Sequence, residues 1–160
     1  MSNNQLQAYR NVFRTMIREN DTNIIDNISS DHAVVIIQEL IRSAEKRVSI
    51  ICQKLSSYVY GNDETLRVIE DAIKRGVRFD VIIKERCPES EKCASLIGNV
   101  KTLRDRDLSK IDIPDFCVVD SRRFRFETDS KKRTAKVCAN NEMLGRKMQE
   151  AFDSIARVLT

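Results

Sequence analysis

Apolar and polar positions follow two different spacings along this chain. Five stretches carry apolar side chains three or four residues apart, which is the period of an amphipathic helix. These helical stretches are 5–18, 31–46, 62–76, 89–98 and 141–160. Six shorter apolar runs predict strands. These runs are 48–52, 77–83, 100–104, 116–119, 123–127 and 134–139. Helices that alternate with strands in this way predict an α/β fold.

The best-defined unit is the strand–helix–strand segment from 48 to 83. Asn62 lies where a side chain can cap the start of its helix, and Gly76 can end that helix in the left-handed conformation. The strand that follows is apolar along nearly its whole length, which predicts a sheet covered on both faces and a parallel crossover between the two strands. For the preceding helix we expect Ser30 or Asp31 as the N-cap.

Length and composition predict one domain. The 160 residues are 41% hydrophobic, enough for a single core. We divide the chain into residues 1–30, an N-terminal helix with a polar connector, and residues 31–160, the α/β domain. No run of about 18 apolar residues and no signal-peptide pattern occurs, so we predict no membrane segment and a cytoplasmic location.

Five cysteines, an odd number, fit a reducing compartment. Cys87 and Cys93 are separated by five residues, which is not a zinc spacing, and no histidine lies near them. We therefore predict no metal and no cofactor.

Positive charge is concentrated in the last third of the chain. The formal net charge is +4, and residues 101–147 carry thirteen basic and eight acidic residues. Seven of these basic residues form the predicted phosphate-binding or nucleic-acid-binding set: Arg122, Arg123, Arg125, Lys131, Lys132, Arg133 and Lys136. Arg123 and Arg125 share one face of their strand, which we expect to be exposed or to face a cleft. Either a solvated hairpin or a surface for a phosphate backbone would account for this pattern.

The segment from 113 to 127 is similar to the motif strand of phospholipase D-like domains, which reads His-x-Lys-x-x-x-x-Asp. Here the motif is Ile113-Pro114-Asp115-Phe116-Cys117-Val118-Val119-Asp120. Ile113 stands at the histidine position, Asp115 at the lysine position, and Asp120 matches the aspartate. Asn140 matches the asparagine of a Gly-Ser-x-Asn signature in this family. Residues 72–81 resemble a further element of these domains, Ala-x-x-Arg-Gly-Val-x-Val-x-Val.

The resemblance implies a phospholipase D-like sandwich, with a mixed β-sheet flanked by helices and an extra N-terminal helix. It also implies a degenerate, single-motif member that lacks the catalytic histidine and lysine, so no catalytic residue is carried over. The chain's single histidine, His32, is expected to be partly exposed near a helix start. For Asp120 we expect a structural role, capping a turn through its carboxylate.

Two functions remain open. The first is a catalytically inactive binding or assembly module of bacterial or phage origin, whose partner is a protein or nucleic acid. Single-motif members of the family pair through the motif face, and an apolar face at Ile113 and Phe116 leads us to expect a homodimer.

The alternative is a metal-dependent phosphodiesterase or nuclease of altered mechanism, using Asp115, Asp120 or Glu127. Pro114-Asp115 with Glu127 is similar to the carboxylate set of restriction-type nucleases. The lysine that such sites carry two residues after the glutamate is replaced here by Asp129.

Overall fold

The computed structural model describes residues 2–103 and 112–159. It contains five α-helices, one short 3-10 turn and seven strands within these ranges. The helices are α1 (Asn3–Arg18), α2 (Ser30–Ser43), α3 (Asp63–Lys74), α4 (Glu91–Ile97) and α5 (Glu142–Val158). The strands are β1 (Ile24–Asn27), β2 (Arg47–Cys52), β3 (Arg78–Ile83), β4 (Val100–Thr102), β5 (Phe116–Val119), β6 (Arg123–Asp129) and β7 (Thr134–Cys138). None of the described helices is long and apolar enough to cross a membrane.

All seven strands form one mixed sheet in the order β1-β7-β6-β5-β2-β3-β4. Strands β2, β3 and β4 are parallel to one another, while β5, β6, β7 and β1 pair antiparallel. The α/β class and the parallel crossover from β2 through α3 to β3 are confirmed. Arg104, the predicted end of β4, lies outside the described residues.

Helices cover both faces of the sheet. One face packs against α1, α2, α3 and α4, with Phe13, Ile36 and Ile69 among its fully buried side chains. The other face packs against α5, where Phe152 belongs to the same buried cluster as Ile51 and Val118. Strands β2 and β3 are therefore apolar on both sides, as the sequence predicts.

Local capping explains where the central helices begin and end. The side chain of Asn62 accepts a hydrogen bond from the amide of Thr65 at the start of α3, and Gly76 has a φ of 92° just beyond its end. Both features are predicted from the sequence. The prediction for α2 is wrong by one residue, because Ser29 rather than Ser30 or Asp31 caps it, accepting from the amide of His32.

The N-terminal segment is joined to the sheet and to α2. Strand β1 lies within the predicted connector and pairs with β7 as an edge strand. Arg10 and Arg14 of α1 bind the carboxylate of Glu39, which also contacts Arg42. Glu39 is 2% exposed, so these arginines neutralise a buried charge between the two helices.

Helix α5 approaches the β5–β6 turn very closely. Asp120 and Ser121 in this turn have φ values of 52° and 56°. A Cβ atom at Gly145 would overlap the carbonyl oxygen of Ser121, so position 145 can carry no side chain without a shift of the helix. The amide of Asn141 donates to the carbonyl of Arg122 at 2.8 Å and holds the start of α5 on the turn.

Candidate ligand-binding site

A cavity of about 420 Å³ lies where β2 ends and β5 begins. Its walls come from the end of β2 and the loop after it, from the first half of α2, and from β5 and β6. Ligands of open α/β sheets commonly bind outside the carboxyl ends of the parallel strands, and this cavity occupies such a place. The ionisable side chains that line it are Lys54, Tyr58, Tyr60, Glu89, Asp115, Arg125, Glu127 and Arg133, with the thiols of Cys52 and Cys117.

Asp115 directly precedes β5, at the position predicted from the sequence to correspond to the motif lysine. Its Oδ1 lies 2.7 Å from Nζ of Lys84, and its Oδ2 accepts a hydrogen bond of 3.0 Å from the amide of Gln53. Lys84 also donates to the carbonyl of Ile113. A lysine from the end of β3 thus reaches the motif strand, but its charge is balanced by the carboxylate beside it.

Ile113, at the histidine position, is buried and offers no nucleophile. Phe116 is buried as well, with its ring centroid 6.3 Å from that of Phe126. The expectation that these two side chains form an exposed apolar face is wrong, because both are covered within the monomer. Homodimerisation stays a prediction without this support.

Glu127 is the most unusual group in the cavity. Its side chain is 4% exposed, and its Oε1 has no hydrogen-bond partner among the described residues. Its Oε2 lies 3.9 Å from Nη1 of Arg125, longer than a hydrogen bond. Burial raises the pKa of Glu127, the charge of Asp115 raises it further, and Arg125, Arg133 and Lys84 oppose the shift. The cavity therefore holds a carboxylate whose acceptor capacity is unused.

Arg125 is fixed in place next to Glu127. Its Nε donates to Oδ1 of Asn27 at 2.7 Å, a bond between β6 and the end of β1. Arg125 is 8% exposed and lines the cavity. It therefore faces a cleft rather than open solvent, the two orientations that its strand position allowed. The N-terminal strand thus positions a charged side chain of the site.

Exposed cations lie at the rim. The β6–β7 turn presents Lys131, Lys132 and Arg133 to solvent, and Arg133 lines the cavity. The carboxylate of Asp129 accepts hydrogen bonds from the amides of Lys131 and Lys132, which fixes the turn. On the opposite wall Lys54 pairs with Glu89 at 3.2 Å.

The other basic residues lie elsewhere, so the seven residues do not form one surface. Arg122 and Arg123 start β6 at the far end of the sheet and contact Asn20. Arg123 shares a strand face with Arg125, as predicted, but it is 5% exposed, and its Nε and Nη1 have no partner among the described residues. Burial, and next the charge of Arg122, lowers the pKa of Arg123. Lys136 pairs with Asp26 at 2.5 Å on the edge of the sheet.

Asp120 has the structural role that the sequence predicts. Its two carboxylate oxygens accept hydrogen bonds of 2.8–2.9 Å from the amides of Glu45, Lys46 and Arg47. The turn that it caps is the link between α2 and β2, rather than its own.

Asp120 and Asn140 lie at the opposite end of the sheet from the cavity. Asn140 follows β7 next to the β5–β6 turn, and its Oδ1 is buried without a partner among the described residues. Asp115 instead lies beside Glu127, whose amide donates to the Asp115 carbonyl at 2.9 Å. Of the three carboxylates considered for metal-dependent cleavage, Asp115 and Glu127 therefore lie together, and Asp120 lies apart from them. No cluster of three or more potential metal ligands is found within residues 2–103 and 112–159.

His32 is buried and not partly exposed, so this prediction is wrong. Its ring stacks on that of Tyr9, with centroids 4.0 Å apart, and its Nδ1 accepts from the amide of Ile28 at 3.5 Å. Burial lowers the pKa of His32. The two cavity thiols are also constrained by burial, which raises the pKa of Cys117 to about 12 and that of Cys52 well above its ordinary value. Both cysteines therefore stay protonated near neutral pH.

Sequence analysis missed several members of the site. Lys84, Gln53 and Tyr58 are separated from the motif by at least 29 residues, and no local spacing connects them to it. One signal was available: Lys84 and Gln53 each follow directly after an apolar parallel strand, and such positions meet at one edge of the sheet.

Comparison with solved structures identifies this arrangement of strands and helices. The chain is similar to Nuc from Salmonella typhimurium, a phospholipase D family member, with a TM-score of 0.64 at 16% identity, over 84% of this chain and 95% of that one. It is similar to NucT from Helicobacter pylori, with a TM-score of 0.61 at 12% identity, over 85% and 98% of the two chains. TrmBL2, an archaeal chromatin protein whose structure shows a novel mode of DNA binding, matches 94% of this chain and 59% of its own, with a TM-score of 0.64 at 12% identity.

These likenesses confirm the predicted phospholipase D-like fold. No family model and no curated protein sequence matches the chain. Identities of 12–16% support the fold, and function has to be argued from the site.

Proposed function

We propose that this chain is a phospholipase D-like domain that binds the phosphate backbone of nucleic acid without cleaving it. The observation that carries the proposal is the composition of the motif end of the sheet. An isoleucine and an ion-paired aspartate occupy the motif positions, and three exposed cations stand on the neighbouring turn.

The case against cleavage rests on the side chains at the start of β5. Phosphodiester cleavage of the family's kind needs an imidazole to attack phosphorus and another group to protonate the leaving oxygen. Ile113 supplies neither, and the single histidine of the chain is stacked on Tyr9 beneath α1. Lys84 reaches the motif strand, and Asp115 already balances its charge.

The case for binding rests on the β6–β7 turn. Lys131, Lys132 and Arg133 are exposed, and none of them forms an ion pair with another described residue, so their charges are available to a polyanion. Lysine and arginine side chains at such a turn suit phosphate groups, and binding releases the counterions condensed on the nucleic acid. Similarity to TrmBL2, an archaeal chromatin protein whose structure shows a novel mode of DNA binding, supports a nucleic acid as the polyanion.

The test is a salt titration of binding to a labelled 20-base-pair duplex, followed by fluorescence anisotropy. If each of the three cations on the turn neutralises one phosphate, affinity should fall roughly fortyfold between 50 and 200 mM salt, linearly on logarithmic axes. Absence of binding at 50 mM salt would overturn the proposal and leave a protein partner as the remaining interpretation.

A second candidate function is favoured by one observation. Asp115 and Glu127 both line the cavity, and Lys84, directly after β3, pairs with Asp115 while its charge acts on Glu127. Lys84 is thus a candidate for the lysine that the sequence around Glu127 lacks. Two carboxylates with a lysine form the kind of set that a metal-dependent nuclease uses. Cleavage of plasmid DNA in 5 mM Mg²⁺ or Mn²⁺ that is lost in both Asp115→Asn and Glu127→Gln would establish this function instead.

A further inference from the structure

We propose that the cavity beside Glu127 receives an unpaired nucleobase, with guanine preferred, while the strand's phosphates lie on the basic turn. The inference rests on the proposed function and deepens it. Backbone binding alone would be indifferent to sequence, whereas an occupied cavity would distinguish bases and single strands.

The first support is the unused acceptor. Glu127 is 5% exposed, and its Oε1 accepts no hydrogen bond from any described residue, which is costly for a buried carboxylate oxygen. Arg125 does not satisfy it, since its Nη1 lies 3.9 Å from the other oxygen and its Nε is bound to Asn27. A ligand that brings N–H donors into the cavity would meet this need.

The second support is the lining of the cavity. A volume of about 420 Å³ falls in the range of small-molecule sites and exceeds the requirement of one base. Phe116 and Tyr60 give it aromatic walls, and the exposed ring of Tyr58 stands at its mouth. Bases that are held outside a duplex are typically stacked on such rings and read along their Watson–Crick edge.

The third support is the position of Arg133. It lines the cavity and also belongs to the exposed turn, and its charge acts on the Glu127 carboxylate. A nucleotide with its base towards Glu127 therefore has a cation at the cavity mouth for its own phosphate. Lys131 and Lys132 continue along the turn for the next phosphates.

Guanine fits the acceptor better than the other bases. Its N1–H and N2–H donors lie side by side and match the two oxygens of one carboxylate. Adenine and cytosine offer a single amino group, and thymine places carbonyl oxygens on both sides of its N3–H, which a carboxylate repels. The expected order of affinity is guanine first and thymine last.

The experiment compares single-stranded twelve-nucleotide probes in 100 mM salt by fluorescence anisotropy. One probe is all thymidine, a second carries one central deoxyguanosine, and a third carries deoxyinosine there, which lacks the 2-amino group. We expect the guanine probe to bind roughly tenfold more tightly than the thymidine probe, with inosine between them. Pairing the guanine in a duplex should abolish the difference.

Glu127→Gln should reduce the guanine-to-thymine ratio to within about twofold. Glu70→Gln, which removes an equal charge from an exposed pair with Lys74 on α3, should keep the full ratio. The inference is overturned if wild-type protein binds the three probes equally, or if the ratio survives Glu127→Gln. Should Glu127→Gln fail to fold by circular dichroism, the inosine comparison on wild-type protein decides.

The outcomes also separate this inference from the proposed function. If all probes bind equally tightly and their binding depends steeply on salt, the proposal of backbone binding stands and the proposal of a base site is refuted. Failure of every probe and of duplex to bind at 50 mM salt would remove both.

Discussion

Nζ of Lys84 lies 2.7 Å from Oδ1 of Asp115, and this ion pair joins the end of β3 to the start of β5 across the middle of the sheet. Both side chains are largely buried, with 21% and 15% of their surface exposed. Because burial weakens screening by solvent, the pair is expected to contribute more than an ordinary surface pair.

Lys84→Met should therefore lower the free energy of unfolding by about 1–3 kcal/mol, since Asp115 is left half-buried without its cation. Urea denaturation measures this loss. Lys74→Met is the matched control, because its pair with Glu70 is 3.4 Å long and exposed, and we expect a loss under about 0.5 kcal/mol. Equal losses in the two variants would contradict a special role for the buried pair.

The basic turn is tested by removing three charges at once. In the variant Lys131→Gln, Lys132→Gln, Arg133→Gln, the slope of log affinity for duplex against log salt should fall by roughly 3, about 0.9 for each lost phosphate contact. The control changes Arg67, Lys74 and Lys92 to glutamine, which lowers the net charge equally on the exposed surface of α3 and α4. A similar fall in the control would mean that overall charge, and not the turn, determines binding.

Glu39 makes the docking of α1 dependent on pH. Burial raises the pKa of Glu39, but hydrogen bonds from Arg14 and Arg10 and the charge of Arg42 outweigh it, so the pKa is lowered. An acid with a lowered folded-state pKa stabilises the fold fully above its unfolded pKa of about 4.3, and this contribution is lost as pH falls through the folded value.

Glu39→Gln should accordingly destabilise the protein by about 1–3 kcal/mol at pH 7. The difference from wild type should shrink as pH is lowered from 5 towards 3, as measured by urea denaturation at each pH. A difference that is independent of pH would show that the carboxylate charge does not hold the helices together.

Arg123 should not behave as a phosphate ligand. Its guanidinium is buried, two of its nitrogens have no partner in the described part of the chain, and burial lowers its pKa, so its charge costs free energy that little offsets. Replacement of a poorly compensated buried charge by an apolar side chain is often neutral or stabilising. Arg123→Met should leave duplex affinity within twofold and Tm unchanged or higher.

The matched control is Arg125→Met, which removes the 2.7 Å bond to Asn27 and should cost about 1–3 kcal/mol. Loss of duplex binding in Arg123→Met, with the fold intact, would return Arg123 to the binding surface.

The contact of α5 with the β5–β6 turn leads to a prediction about packing. Gly145→Ala places a methyl group on the carbonyl of Ser121 and should destabilise the fold by about 1–3 kcal/mol, as overpacking commonly does. Met143→Ala, two residues earlier in the same helix at a side chain that is 65% exposed, should cost less than about 0.5 kcal/mol. Thermal unfolding distinguishes the two, and equal Tm values would show that the helix shifts freely.

The elements were predictable because their signals are local. The position of α3 can be read from its own segment, which shows the helical spacing of apolar residues, the N-cap Asn62 and the terminating Gly76. The parallel crossover follows from the two apolar strands on either side of this helix. Strand β1 was missed as a strand because Ile24–Asn27 is four residues long and lies between turn-forming asparagines and aspartates. Its pairing with β7 supplies what the local sequence lacks.

The site was less predictable because its residues are distant in the sequence and are brought together only by the tertiary structure. A period of two shows that Arg123 and Arg125 share a face, but not that α1 and α2 cover that face. The same limit applies to Asn140, whose place in the sequence does not reveal that it lies at the opposite end of the sheet from Asp115. Only residues that directly follow a parallel strand, such as Lys84, could have been assigned to the site from the sequence.

The pairing of β1 with β7 has a consequence for synthesis on the ribosome. Asp26 and Lys136, which form an ion pair across these strands, are 110 residues apart in the chain. During translation the N-terminal strand therefore leaves the exit tunnel long before its partner exists, and β1 must wait for the last quarter of the protein to emerge. Since Asn27 holds Arg125, the cavity is completed only when β1 pairs with β7. A nascent chain that is halted before β7 would expose the unpaired edges of β1 and β6, which can pair with other chains.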